Sequence, residues 1–224
     1  GLTINMDNLQ SLFSLDNLQA VWLSLKASSI AELSATTITS YVLIVAAEMG
    51  DKSQLVCMTL AARHRAMPVI LGAIAAFALL NTLAVVFGVA IANWLPEYVI
   101  AVTVAVLFTV FGIHALRVQE PDGDEEVQEK SGHGIFFTTF LLITVAEFGD
   151  KTQLAVVALS STAAPIAVWL GSTAALLSTS VVGVLAGRTI LQKIPLPLLH
   201  KISGSIFLAL AAIAAYRAYV SYLP

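Results

Sequence analysis

The chain has 224 residues, 58% of them hydrophobic and only 11% charged, with a formal net charge of −3 and a mean hydropathy of +0.88. Soluble domains carry about 25% charged residues, so this composition excludes an ordinary soluble globular domain and indicates a polytopic membrane protein. A single cysteine, Cys57, excludes an intrachain disulfide, and no zinc-type Cys/His cluster is present.

Residues 7–34 are mixed. Leu15, Leu18, Trp22 and Leu25 fall at helical spacing, while Asp7, Asp16, Lys26 and Glu32 interrupt any spanning run. The pattern predicts an N-terminal amphipathic helix (segment 1–34) lying at the membrane interface. Six apolar segments follow, at about 36–61, 68–93, 97–117, 135–160, 165–191 and 196–220, each near the ~20 residues that a bilayer core requires. Pro68, Pro96, Pro165, Pro195 and Pro197 fall in or beside the breaks, where a missing amide donor does least harm. A polar loop at 118–134 divides the spans into two groups of three. It carries Glu120, Asp122, Asp124, Glu125, Glu126 and Glu129. It reads as a solvated linker, or more sharply as an antenna that concentrates cations. Its spacing does not fit an EF-hand.

The two groups are copies. Residues 47–55 read Ala-Glu-Met-Gly-Asp-Lys-Ser-Gln-Leu and residues 146–154 read Ala-Glu-Phe-Gly-Asp-Lys-Thr-Gln-Leu, a separation of 99 positions from Glu48 to Glu147. The same separation relates Leu43 to Leu142, Gly72 to Gly171, Gly88 to Gly187, Pro96 to Pro195 and Phe108 to Phe207. The expected fold is therefore all-α, with six transmembrane helices as two three-helix repeats at 35–117 and 135–224. Three spans per repeat is an odd number, so the second repeat enters the membrane inverted, an architecture of secondary transporters with a site near the midplane. Arg63, Arg65, Arg117, Lys130, Arg188, Lys193 and Lys201 lie on one side, against Lys26 and Arg217 on the other. The positive-inside rule puts the first group in the cytoplasm and both termini outside it.

Each motif sets two carboxylates and an amine inside an apolar run. A charge at a helix centre costs ~2.5–3.5 kcal/mol, so six unpaired ones would cost roughly 15–20 kcal/mol. They must face one another or a wet cavity. In an unbroken helix Glu48 and Asp51 share a face, with Lys52 and Gln54 at its edges, and Glu147, Asp150, Lys151 and Gln153 repeat the arrangement. If the two motif helices meet, four carboxylates and the amide oxygens of Gln54 and Gln153 converge as an oxygen-only cage that suits Mg²⁺, Ca²⁺ or Mn²⁺. Four carboxylates and two ammonium groups sum to −2, which one divalent cation or two protons neutralise. Competition of metal and protons for Glu48, Asp51, Glu147 and Asp150 is the chemical requirement of an exchanger. Gly50 and Gly149 allow close approach or unwinding, and Ser53 and Thr152 add hydroxyls as ligands or as bonds to the i−4 carbonyl. Asn81 and Ser180, register partners, are candidates for supporting hydrogen bonds to the motif helices. Lys52 and Lys151 pair with the carboxylates when the site is empty. A network that only locks helices needs no second copy of the same oxygen set.

Other features carry less. Met49 shares its motif position with Phe148, which favours packing over thioether ligation, and Cys57 reads as a small core residue. His64, His114, His133 and His200 are scattered and receive no metal role. An intramembrane aspartyl protease is disfavoured by the adjacent lysines, and other protease signatures are absent. No enzymatic activity is expected. A passive cation channel is the remaining rival.

The doubled Glu-x-Gly-Asp-Lys-[Ser/Thr]-Gln in a three-plus-three chain resembles the cation/proton exchanger family of the Golgi calcium and manganese transporters and the bacterial manganese exporters, over roughly residues 36–220. The resemblance implies divalent cation transport, with Mn²⁺ export by proton exchange in bacteria and Ca²⁺ as the alternative ion. It implies a metal site at Glu48, Asp51, Glu147 and Asp150, with Lys52, Lys151, Gln54 and Gln153 as companions. The expected partners are the transported ion, protons and the lipid bilayer of a bacterial inner membrane. No cofactor and no nucleic acid are expected, and a homo-oligomer is allowed.

Overall fold

A backbone in hydrocarbon must satisfy its own amides, so apolar runs of this length fold as helices. The computed structural model describes residues 15–117, 134–193 and 195–223, and within them every regular element is an α-helix. These are α1 Leu15–Glu48, α2 Lys52–Arg63, α3 Ala66–Trp94, α4 Glu97–Arg117, α5 Ile135–Glu147, α6 Lys151–Thr162, α7 Pro165–Lys193 and α8 Leu196–Tyr222. Five contain stretches long and apolar enough to cross a membrane: Ile30–Glu48, Ala66–Trp94, Glu97–Arg117, Pro165–Gly187 and Leu196–Tyr222. Helix α5 is a shorter apolar helix. The chain is a polytopic helical membrane protein.

Two expectations need correction. The segments at 36–61 and 135–160, expected as single spans, are each two helices, broken at 49–51 and at 148–150. The break is at the motif glycine, with Gly50 at φ 80° and Gly149 at φ 73°, a conformation that carries no steric cost only for glycine. The N-terminal segment is also not a separate interfacial helix ending near residue 34. From Leu15 it runs without interruption into the first span, because no glycine or proline lies between residues 15 and 48 to stop it. Residues 1–14 and the acidic loop, with His133, lie outside the described residues.

The packing repeats as the sequence does. Exchanging α1–α4 for α5–α8 maps the α1–α7 contact onto α3–α5, α2–α7 onto α3–α6, and α1–α6 onto α2–α5, while α3–α7 and α4–α8 join helices to their own counterparts. Phe108 and Phe207, counterparts in register, touch with ring centroids 5.5 Å apart. Close approach depends on two equivalent glycines. A Cβ on Gly72 would lie 2.5 Å from the Phe136 carbonyl and 2.9 Å from the Thr139 Cβ, and one on Gly171 would strike the counterpart atoms, the Thr37 carbonyl and the Ser40 Cβ. The equivalence fails in places: α1 packs on α8, and α4 on α6, without comparable contacts between their counterparts, and α7 leaves helical geometry at Gly187, φ 63°, a bend without parallel at Gly88.

Candidate metal site

Each broken helix ends the same way. The last carbonyl of α1, on Glu48, accepts the Asp51 N–H at 3.0 Å, and that of α5, on Glu147, accepts the Asp150 N–H at 3.1 Å. Asp51 and Asp150 then open α2 and α6 as N-caps with matching extended backbones. The glutamine completes the turn. Gln54 Oε1 accepts the Gly50 N–H at 2.5 Å, and Gln153 Oε1 accepts the Gly149 N–H at 2.6 Å. Their amide nitrogens cross to the other repeat: Gln54 Nε2 donates to the Thr179 carbonyl at 2.7 Å and Gln153 Nε2 to the Leu80 carbonyl at 3.2 Å. Leu80 and Thr179 are themselves 99 positions apart. The amides expected to join the cage are thus engaged in holding the turns and tying the repeats together.

The charges converge at these turns. Carboxylate oxygens of Glu48, Asp51 and Glu147 all lie within 4.8 Å of one another. Glu48 and Glu147 are buried, at 0% and 3% exposure. Asp150 stands beside Lys52, Nζ to Oδ2 3.2 Å, and Lys151 approaches Asp51 at 3.9 Å. Both ion pairs join one repeat to the other. Thr152 donates its hydroxyl to Glu48 Oε1 across the same boundary, while Ser53, its counterpart, is buried. Glu48 Oε2 and Glu147 Oε1 are buried and accept no hydrogen bond. A buried carboxylate oxygen without a donor is costly, a cost that a hard divalent cation bound among the three carboxylates would remove.

Glu48 and Asp51 meet across a turn rather than along one helix face, since the helix stops between them. Asn81 donates to Thr173 at 3.0 Å and so links α3 to α7, and Ser180 donates back to Leu176 at 2.7 Å within α7. The Asn81 bond does not reach a motif helix, whereas the Ser180 hydroxyl is also a hydrogen-bond partner of the Cys57 thiol on α2. Met49 Sδ accepts from Gln54 Nε2 at 3.3 Å, and Phe148 is exposed. Sequence reasoning missed the two backbone carbonyls and Thr173. A carbonyl leaves no side-chain signal, but the register would have paired positions 80 and 179 once either was known.

The family described as divalent cation/proton antiporter GDT1 matches residues 36–122 and 135–222. A Vibrio cholerae protein named "Putative manganese exporter" is 33% identical over 84% of this chain and 91% of its own length. A Synechocystis GDT1-like protein is 28% identical over 77% of the chain and 92% of its own length. GDT1-like protein 3 of Arabidopsis thaliana is 26% identical over 86% and 75%. No solved structure matches the chain.

Proposed function

The chain belongs to the divalent cation/proton antiporter GDT1 family, and from that premise we propose that it exports Mn²⁺ from the cytoplasm across a bacterial inner membrane in exchange for protons. The proposed orientation places the ends of α2, α4 and α7 in the cytoplasm, where the basic residues concentrate. Glu48, Asp51, Glu147 and Asp150 are the proposed shared site for metal and protons. The observation that carries this reading is the cluster of three carboxylates within 4.8 Å, with two buried oxygens left without donors.

In the empty site, Lys52 and Lys151 balance the aspartates across the repeat boundary. An arriving dication neutralises the remaining −2 of the cluster, and two protons do so when it leaves, so the metal-bound and doubly protonated clusters carry the same formal charge. Gln54 and Gln153 act as clamps between the broken helices and the opposite repeat, and Asn81 and Ser180 stiffen the helices behind them.

The test is flux in proteoliposomes with Mn²⁺ and Ca²⁺ as parallel substrates under an imposed pH gradient. Uphill Mn²⁺ movement driven by the gradient is expected. The oxygen donor set also accommodates Ca²⁺, and uphill flux of Ca²⁺ alone would make that the substrate. Downhill flux that ignores pH would identify a channel.

A further inference from the structure

The second copy of the motif borders a cavity of about 300 Å³ whose walls include Asp150, Lys151, His114, His200, Ser203 and Phe207. His114 is three residues from the end of α4, and His200 is four residues past the start of α8. Both histidines therefore belong to the membrane face at which α4 ends and α8 begins. Asp150 and Lys151 belong to the charged cluster. A cavity with polar groups in its wall thus lies between those helix ends and the ion-paired edge of the cluster.

The duplication supplies an internal comparison. Shifted by 99 positions, Asp150 and Lys151 become Asp51 and Lys52, and Phe207 becomes Phe108. His114, however, corresponds to Ile213, His200 to Ala101 and Ser203 to Val104. The scaffold and its charges are repeated, but the imidazoles and the hydroxyl are not. Aliphatic side chains satisfy packing at the counterpart positions, so packing does not call for two histidines here. Of the two sets of register positions, only this one carries imidazoles.

The two imidazoles and the Asp150 carboxylate line one cavity, without the mutual approach that the three carboxylates of the cluster show, so they offer nitrogen and oxygen donors in succession. Imidazole suits transition-metal dications, whereas Ca²⁺ and Mg²⁺ take oxygen. We infer that His114 and His200 form an entry site for a transition-metal dication, which sorts ions before they reach the carboxylates. The inference rests on the transport function proposed above, in whose orientation this face is cytoplasmic, the loading side of an exporter. Ser203 lines the same wall, and Asp150 receives the ion at the inner end.

The test compares wild type with a His114→Ala/His200→Ala double variant in everted and right-side-out vesicles, with Mn²⁺ or Ca²⁺ supplied at either face. The expected result is a roughly tenfold rise in KM for Mn²⁺ at the loading face. The maximal rate, the KM for Ca²⁺ and the KM for Mn²⁺ at the opposite face are expected to stay unchanged. An unchanged Mn²⁺ KM, or equal losses for Mn²⁺ and Ca²⁺, overturns the entry site. Absence of proton-driven flux in the wild type overturns the transport reading itself, which keeps the two failures distinct. A second measurement needs no variant: electron spin echo modulation of Mn²⁺ added in excess to the wild-type protein. Nitrogen modulation from imidazole is expected, and coordination by oxygen alone overturns the inference.

Discussion

Asp51 and Asp150 hold matched positions, each at the start of a short helix, which the Asp150 side chain alone caps, and each facing a lysine of the other repeat. Asparagine keeps the shape, and at position 150 the oxygen that accepts the Lys151 N–H, but removes the charge. Asp51→Asn and Asp150→Asn are each expected to lower proton-driven Mn²⁺ flux by at least about a hundredfold, the loss of ~2.7 kcal/mol of cation stabilisation, with the protein still folded by thermal melting. Near-normal flux in either variant would remove that residue from the site. The carboxylates and lysines were legible as residues because charge in an apolar run is expensive. Their partners were not. Spacing along one helix places Lys52 one turn from Glu48, whereas the fold sends it to Asp150, and only the meeting of the two repeats decides that. The same holds for Gln54 and Gln153, whose oxygens the sequence offers to a metal and whose surroundings assign to a glycine amide.

At the scale of elements, hydropathy and proline positions gave the ends of the spans closely, from Ala66–Trp94 to Leu196–Tyr222. The interior breaks were harder to read. A glycine in an apolar run is compatible with an unbroken helix, and Gly50 unwinds because Gln54 captures its N–H while bonding Thr179 on another helix. That is a tertiary cause acting on a local choice. Gly72 and Gly171 serve instead as contact points for α5 and α1. Gly72→Ala and Gly171→Ala each add a Cβ against a backbone carbonyl that cannot move aside cheaply. Each is expected to destabilise the protein by about 1–3 kcal/mol, read as a lower Tm in detergent. The two losses are expected to be similar, because the atoms struck are counterparts in the two repeats.

For the whole molecule, the separation of 99 positions foretold most of the pairing of helices: the α1–α7, α2–α7 and α1–α6 contacts reappear as α3–α5, α3–α6 and α2–α5, and α3–α7 and α4–α8 straddle the relation between the repeats. The bend at Gly187 lay beyond such reasoning, since a repeat predicts sameness and not its local failure. The ion pairs that cross between repeats make the two halves interdependent. Lys52→Met and Asp150→Asn are each expected to lower Tm, and together to cost less than the sum of the single losses, with a coupling above about 0.5 kcal/mol. Additive losses would mean that the 3.2 Å contact contributes nothing to holding the repeats together.

The crossed pairs also bear on how the protein is made. Ribosomes deliver the first repeat before the second exists, so Glu48, Asp51 and Lys52 reach the bilayer while Asp150, Lys151 and Thr152 are still unsynthesised. Three such charges without partners amount to roughly 7–10 kcal/mol on insertion scales. The first half is thus a provisional guest in the membrane until the second arrives, and damage to the later copy of the motif falls on the biogenesis of the earlier one.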